Sequence, residues 1–227
     1  MGRALAPILA FDTSGPYCTA ALLRDGVVCL SRHRDMARGQ AEALMPLLCE
    51  MLAEAGLGWS DLGGLGVGIG PGNFTGIRVS VAAARGLALA SRVPAVGVSM
   101  FEVLRRTQPD PAPDLLSLEA PRGLAYVQPR SRGVPGPARM IAPDTPGEAA
   151  LLDAAGARHV TGFAARQIGT ALGIGWTEAA PTEIAPRIAR AAAEILATGA
   201  MPMRPAPLYV RPADAAPPAD PPPVILP

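Results

Sequence analysis

The chain of 227 residues has no lysine: all 20 of its basic residues are arginine. A GC-rich genome is enough to produce that bias, yet the chemistry removed is definite. A Walker A phosphate loop needs its Lys, so that NTPase class is excluded. Pyridoxal-phosphate and other Schiff-base chemistry need a lysine amine and are excluded as well. Histidine is nearly absent too, with only His33 and His159, far apart. There is no GxSxG, HExxH or HxxxH. A Ser-His-Asp or Cys-His site needs a general base beside its nucleophile, and a metal hydrolase needs clustered His and carboxylate ligands. Neither set assembles, and His159, in a strand-like stretch, reads as structural. Charge is sparse at 17% and nearly balanced at +1. With both signs mixed along the chain, there is no electrostatic footprint for nucleic acid or a membrane surface. Strong direct binding of tRNA or DNA by this chain alone is not expected.

Cysteine is limited to Cys18, Cys29 and Cys49, an odd number without CxxC spacing. That excludes a disulfide framework and a zinc site, and predicts buried structural thiols in a reducing cytoplasm. No run of roughly 18 residues is apolar and free of breaks and charge, so no membrane span is expected. Met1 to Phe11 faintly resembles a signal peptide. The run ends at Asp12 without a small-residue cleavage pattern, and a buried first strand fits better.

What is present is apolar and small. Apolar residues make up 49%, alanine alone supplies 43 and aromatics only 4%. Such a chain is globular, with a core of tightly packed small side chains. At this length it buries roughly 70–75% of its unfolded surface and needs no staples.

Ile8–Phe11, Cys18–Leu23 and Val27–Leu30 read as three strands, the last two joined at Asp25-Gly26, a strong hairpin signal. Leu44, Leu47, Leu48, Met51, Leu52 and Ala55 form one helical stripe within 41–56. Pro46 should kink that helix or mark its effective start, and Gly56 is a candidate C-cap. A glycine-rich strand is predicted over 62–69, a turn over 70–76, then a helix over 77–91 that is apolar almost all round. Such a helix must be buried, in a core or against a partner. A strand over 95–98 and a helix over 101–106 capped by Ser99 follow. The Pro/Asp-rich 107–113 marks a lobe boundary. Beyond it come a hairpin, 115–118 with 124–128 around Pro121-Arg122-Gly123, short helices at 147–155 and 164–172 around a strand at 159–161, and a longer helix over 183–198. Residues 202–227 carry 10 of the 26 prolines. They read as an extended strap ending in disorder.

The pattern is α/β in two lobes, 1–106 and 107–201, with a proline-rich tail at 202–227. The β-β-β-α-β-α order is that of the actin-like ATPase and sugar-kinase (ribonuclease H-like) lobe, here small.

Two turns are candidate phosphate-facing sites. Asp12-Thr13-Ser14 offers a carboxylate for a cation and donors for oxygens. An Asx turn capping a strand end is the plainer alternative. Gly70, Gly72, Thr75 and Gly76, ahead of a helix, could aim N–H groups at an anion, with Arg78 in the first turn. A tight turn against which another backbone packs is the alternative. The helix pair 41–55 and 77–90 is either ordinary core or one half of a bundle with a partner subunit.

The segment Gly68-Ile-Gly-Pro-Gly-Asn-Phe-Thr-Gly-Ile-Arg78 is highly specific. With Ile8-Leu-Ala-Phe-Asp-Thr-Ser14, Glu42-Ala-Leu-Met-Pro46, Gly86-Leu-Ala-Leu-Ala, Val96-Gly-Val-Ser99 and Pro207-Leu-Tyr-Val-Arg211, it resembles the TsaB family of bacterial tRNA threonylcarbamoyladenosine biosynthesis. The likeness is dense over 8–104 and thin afterwards. It implies a degenerate actin-like fold and a non-catalytic, cytoplasmic subunit that binds and activates the catalytic subunit TsaD. A TsaE-like ATPase joins the pair. ATP and metal are expected on the partner, with no cofactor in this chain, and tRNA is met only through the complex. Pairing in the family uses the first-lobe helices, and members self-associate through the same face. Here that implies an interface at Leu44, Leu47, Leu48, Met51, Val79, Ala83 and Leu87, with a homodimer when the partner is missing. The chain departs from the family at Gln40-Ala41-Glu42 and at Glu119-Ala-Pro-Arg122, so no role is carried over to second-lobe side chains. A rival from another class is a small actin-like phosphotransferase using Asp12 and the Gly70–Gly76 turn. It requires a second Asp-Gly-Thr-type turn in the second lobe, and the sequence has none.

Overall fold

A computed structural model describes residues 6–107, 114–144 and 156–210. The chain opens with β1 (Ile8–Asp12), β2 (Tyr17–Arg24) and β3 (Val27–Asp35). Asp25 and Gly26 both take positive φ, 52° and 78°, as the hairpin signal requires. Helix α1 (Gln40–Glu54) follows, then β4 (Gly64–Gly68), α2 (Phe74–Ser91), β5 (Ala95–Val98) and α3 (Met100–Arg105). The second half comprises β6 (Leu115–Glu119), β7 (Ala125–Ser131), β8 (Val134–Pro135), β9 (Arg139–Ile141), β10 (His159–Gly162), α4 (Ala165–Leu172), β11 (Gly175–Glu178) and α5 (Ile184–Ala197).

The first sheet has the order β3-β2-β1-β4-β5. The second runs β11-β10-β6-β7, with β8 and β9 both on β7. From β9, the second sheet repeats the first: an antiparallel meander, β6-β7-β9 for β1-β2-β3, then two parallel strands, β10 and β11 for β4 and β5. The chain is a duplication in topology, although its sequence shows no usable internal repeat.

Alternation along β1 divides the core. Leu9 and Phe11 face α1 and α2 with Leu65 and Val67; Ile8 and Ala10 face the opposite layer with Ile188, Ala189 and Ala192 of α5. That middle layer is shared. Leu116, Leu118 and Tyr126 of the second sheet and Phe101 and Leu104 of α3 belong to it. The strands thus separate near residue 106, whereas the helices do not: α3 packs on β6 and α5 on the first sheet. A third cluster puts Ala165 and Ile168 of α4 on Leu115, Val127 and Val160.

Local expectations hold with identifiable exceptions. Helix α1 starts at Gln40, well ahead of Pro46, and Gly56 follows its last turn at φ 66°. Helix α2 starts at Phe74 rather than Ile77, because the Asn73 side chain accepts from the Gly76 N–H at 3.0 Å and caps it. Ser99 caps α3 in the same way. Helix α2 is not buried all round: its core face is Gly76, Ile77, Ser80, Val81 and Ala84, and small residues on its outer side face solvent. Of the cysteines only Cys18 is buried, its thiol pushed up to about 11 chiefly by desolvation; Cys29 and Cys49 are exposed, and all three are free. His159 pairs with the Thr177 hydroxyl at 2.9 Å across β10 and β11. No described helix is long and apolar enough to cross a membrane. The expected helix at 147–155, nearly all of the 107–113 boundary and the tail beyond 210 lie outside the described residues.

Candidate functional site

The two candidate turns do come together, but they face each other. Asp12, Thr13 and Ser14, at the end of β1, are buried. The Ser14 N–H, the Ser14 hydroxyl and the Tyr17 hydroxyl donate to Asp12 Oδ2 at 3.1, 2.8 and 2.9 Å. Asp12 Oδ1 is buried with no hydrogen-bond partner. Burial holds the Asp12 carboxyl above its usual range, although the Ser14, Tyr17 and Thr13 hydrogen bonds pull it down. The same burial, helped by the Asp12 charge, pushes the Tyr17 hydroxyl up.

The second turn closes on the first through backbone. The Asn73 N–H donates to the Ser14 carbonyl at 2.6 Å, and the Thr13 hydroxyl to the Gly76 carbonyl at 2.7 Å. A Cβ at Gly76 would stand 1.9 Å from the Thr13 carbonyl oxygen, and one at Gly72 would stand 2.5 Å from that of Ser14. Both glycines are required by this approach of main chain to main chain. Gly70 takes φ 87° and is buried, and its carbonyl accepts from the Met100 N–H at 2.8 Å. The packed-turn alternative describes the segment; the phosphate cradle does not.

Thr75 is exposed at the mouth of a groove between the starts of α1 and α2. Arg78 points elsewhere. Its guanidinium lies 3.7 Å from the Phe74 ring centroid, and its Nε donates to the Tyr209 hydroxyl at 2.8 Å. Sequence reasoning missed Tyr17, five residues past Asp12, and Tyr209, 131 residues past Arg78. The Pro207–Arg211 resemblance was the one signal pointing toward the latter.

A cleft of about 550 Å³ lies between the lobes, beside Ser14, Tyr17 and Asn73 on one side and Glu119, Ala120 and Tyr126 on the other. Glu119 is the one charged side chain in its described lining, and no arginine reaches it. The fold implies ATP and a divalent cation in such a cleft, and these residues do not fit them. A polyphosphate would meet a carboxylate and no cation. The one carboxylate on β1 is enclosed in its own turn with three donors already on Oδ2, which leaves it poorly placed to ligate a hard cation. No group of three or more His, Cys, Asp or Glu among the described residues is placed to hold a metal.

The partner-facing expectation needs correction at four residues. Leu44, Leu47, Leu48 and Met51 are at most 1% exposed and fill the layer between α1 and the first sheet. The periodicity that singled them out is the signature of a core face, so they have no surface to offer. Val79, Ala83 and Leu87 are half-buried along the α1 side of α2. The surface these helices present is carried by Ala82, Gly86, Met45 and Cys49, with Val79, Ala83 and Leu87 at its edge. A Cβ at Gly86 would meet nothing within 4 Å.

The duplicated 3-2-1-4-5 sheet, with a cleft at the ends of equivalent strands, defines a small two-lobed α/β protein with the actin-like fold. The profile of the TsaD family, tRNA N6-adenosine threonylcarbamoyltransferase, matches residues 33–128. The Escherichia coli tRNA threonylcarbamoyladenosine biosynthesis protein TsaB is 38% identical over 93 residues, 40% of this chain and 39% of that protein. The Bacillus subtilis TsaB is 33% identical over 97 residues, 43% and 42% of the two chains. The match thus spans about two fifths of these relatives' length. A Pseudomonas aeruginosa crystal structure, described as similar to peptidase YeaZ, superimposes with a TM-score of 0.67 at 25% identity, over 91% of this chain and all of that one. Over about two fifths of its length, this chain is thus similar in sequence to TsaB proteins.

Proposed function

We propose that the chain is the non-catalytic partner subunit of a tRNA threonylcarbamoyladenosine modification complex. In this reading it binds and activates a TsaD-type catalytic subunit, and a TsaE-like ATPase joins them. ATP and metal sit on the partner, and tRNA is engaged through the assembly. The observation that carries the non-catalytic part is the closure of the Gly70–Gly76 turn on Thr13 and Ser14. The Asn73 N–H and the Thr13 hydroxyl, donors that could meet phosphate oxygens, are spent on carbonyls of the facing turn.

The docking part rests on the outer side of α2. Ala82 and Gly86 carry almost no side chain, so a partner helix can approach the backbone closely, flanked by Val79, Ala83 and Leu87. Without the catalytic subunit, the same face pairs with a second copy.

Size-exclusion chromatography of the chain with a purified TsaD-type subunit tests this. A joint peak is expected with the native chain. It should be lost with Gly86→Arg, which places a charge on the face without touching the fold. Persistence of the joint peak with Gly86→Arg sinks the interface assignment. Absence of any joint peak with the native chain sinks the subunit reading.

A further inference from the structure

Helix α2 has a second flank. Phe74, Arg78, Arg85 and Leu89 follow one another at helical spacing, turned away from the Val79, Ala83 and Leu87 side. Along this flank runs the extended segment 201–210. Its upper part is fastened down: Arg78 bonds Tyr209, the Phe74 and Tyr209 rings lie 5.1 Å apart, and the Leu208 N–H donates to the Ile69 carbonyl at 2.8 Å. In the middle, Arg85 Nε donates to the Pro205 carbonyl at 2.7 Å.

The lower end is open. There a pocket of about 250 Å³ lies between the last turns of α2, the start of β5 and the segment from Met201 to Pro205. Leu89 and Met201 line it, and Met203 stands next to it in sequence. These three are the most exposed large apolar side chains among the described residues, at 78%, 88% and 90%. Leu89 of α2 and Met201 of the segment meet at the pocket, with Met203 next along a backbone held by Pro202 and Pro205, and make a preorganised apolar surface. Its charge has one sign. Arg85 and Arg204 line the pocket, no carboxylate does, and neither arginine has an ion-pair partner among the described residues.

We propose that this end of the strap flank is a docking surface for an acidic, apolar segment of another protein. One large apolar side chain fills the pocket between Leu89 and Met201, and flanking carboxylates meet Arg85 and Arg204. Methionine suits this use because its unbranched side chain adapts to the shape it covers. RNA would engage the two arginines through phosphates but leave Leu89, Met201 and Met203 in water, so protein is the better match. Leu89 follows Gly86 by three residues, so this surface adjoins the face assigned to the catalytic subunit; the inference rests on the pocket, its exposed apolar groups and its charge, not on that assignment.

The test is fluorescence anisotropy on the full chain with a set of labelled synthetic peptides, each carrying Leu, Phe or Met between Asp and Glu residues. Controls are the same peptides with every acid replaced by Lys, and a labelled single-stranded RNA. At least one acidic peptide should bind saturably. Leu89→Ser, Met201→Ser and Arg204→Glu should each weaken it by about tenfold or more. Their thermal midpoints should match the native chain, because these side chains are exposed. Several results overturn the proposal: no acidic peptide binds, acidic and basic peptides bind alike, or RNA binds more tightly than any peptide. Sedimentation showing a self-association that Leu89→Ser abolishes would make the occupant a second copy and overturn it equally.

Discussion

The two sheets share one strand order and differ in what is built on their ends. In the first lobe, the turn after β1 is locked under the turn after β4, and α2 runs 18 residues beyond it. In the second, the turn after β6 is the short Pro121–Gly123 bend, and the helix after β10 has eight residues. The edge strand β5 is mostly buried, with Pro205 of the strap close to its Gly97, whereas its counterpart β11 is exposed along its whole length. One device is common to both. A glycine at the end of the parallel strand admits its neighbour: Gly68 beside the Asp12 carboxylate, Gly162 beside the Ser117 carbonyl. Topology survives with little shared sequence, because it needs only alternation and a few tight crossings. The surfaces proposed above to meet other molecules are concentrated in the first lobe.

Four tests would break or sharpen this contrast. Leu48→Arg, in the core face of α1, should prevent folding: a buried unpaired charge costs about 3–5 kcal/mol or more. Soluble yield and the unfolding transition would show it, and a stable, folded Leu48→Arg would return that residue to the surface. Gly76→Ala and Gly162→Ala come next. Each drives a methyl to within 2 Å of a carbonyl oxygen, at 1.9 and 1.8 Å, and should cost about 1–3 kcal/mol in urea unfolding. Gly123→Ala has φ 73° but open space around it, and should cost only about 1 kcal/mol. Gly76 has no positive φ, so a negligible loss at Gly76→Ala would mean that backbone conformation, and not the close approach, sets the cost at Gly162.

The third concerns Asp12. Desolvation raises its folded value above the unfolded one. The native chain is therefore favoured while the carboxyl is protonated in both states, below the usual carboxylate range. That advantage is lost as pH rises through the folded value. Asp12→Asn should flatten the decline of the urea midpoint above about pH 4. A native midpoint that rises over the same interval would contradict a buried Asp12 whose carboxyl is held above its usual range. The smallest effect is expected at the lobe junction. Arg106 makes a two-pronged pair with Glu194, at 2.9 and 2.7 Å, and joins Arg105 on Glu102. Glu194 is well exposed, so Glu194→Ala should cost no more than about 1 kcal/mol in the same measurement.

Much of this was legible in the sequence where the physics is local. The Asp25-Gly26 hairpin, the α1 stripe, the Ser99 cap and the 115–128 hairpin are set by neighbours within a few residues, and each lies where expected. Pairings across the chain were not legible. The exchange of α3 and α5 between lobes depends on shape, as does the bond from Arg78 to Tyr209. The α1 stripe also shows the limit of periodicity: it marks which side of a helix is apolar, and core and interface share that mark. Leu48 and Leu87 looked alike in sequence, and only burial separates them. Likewise three glycines in seven residues announce a close approach without saying whether phosphate or backbone fills the space.

The central claim is that the chain supports a reaction it does not itself catalyse. Reconstitution tests it most directly: a TsaD-type subunit, a TsaE-type ATPase, the threonylcarbamoyl-adenylate synthase, ATP, threonine, bicarbonate and unmodified tRNA, with and without this chain. The account predicts modified adenosine only when the chain is present, none from the chain with tRNA and the adenylate alone, and loss of the effect with Gly86→Arg. Full modification without the chain, or modification by the chain in the absence of the TsaD-type subunit, would contradict it.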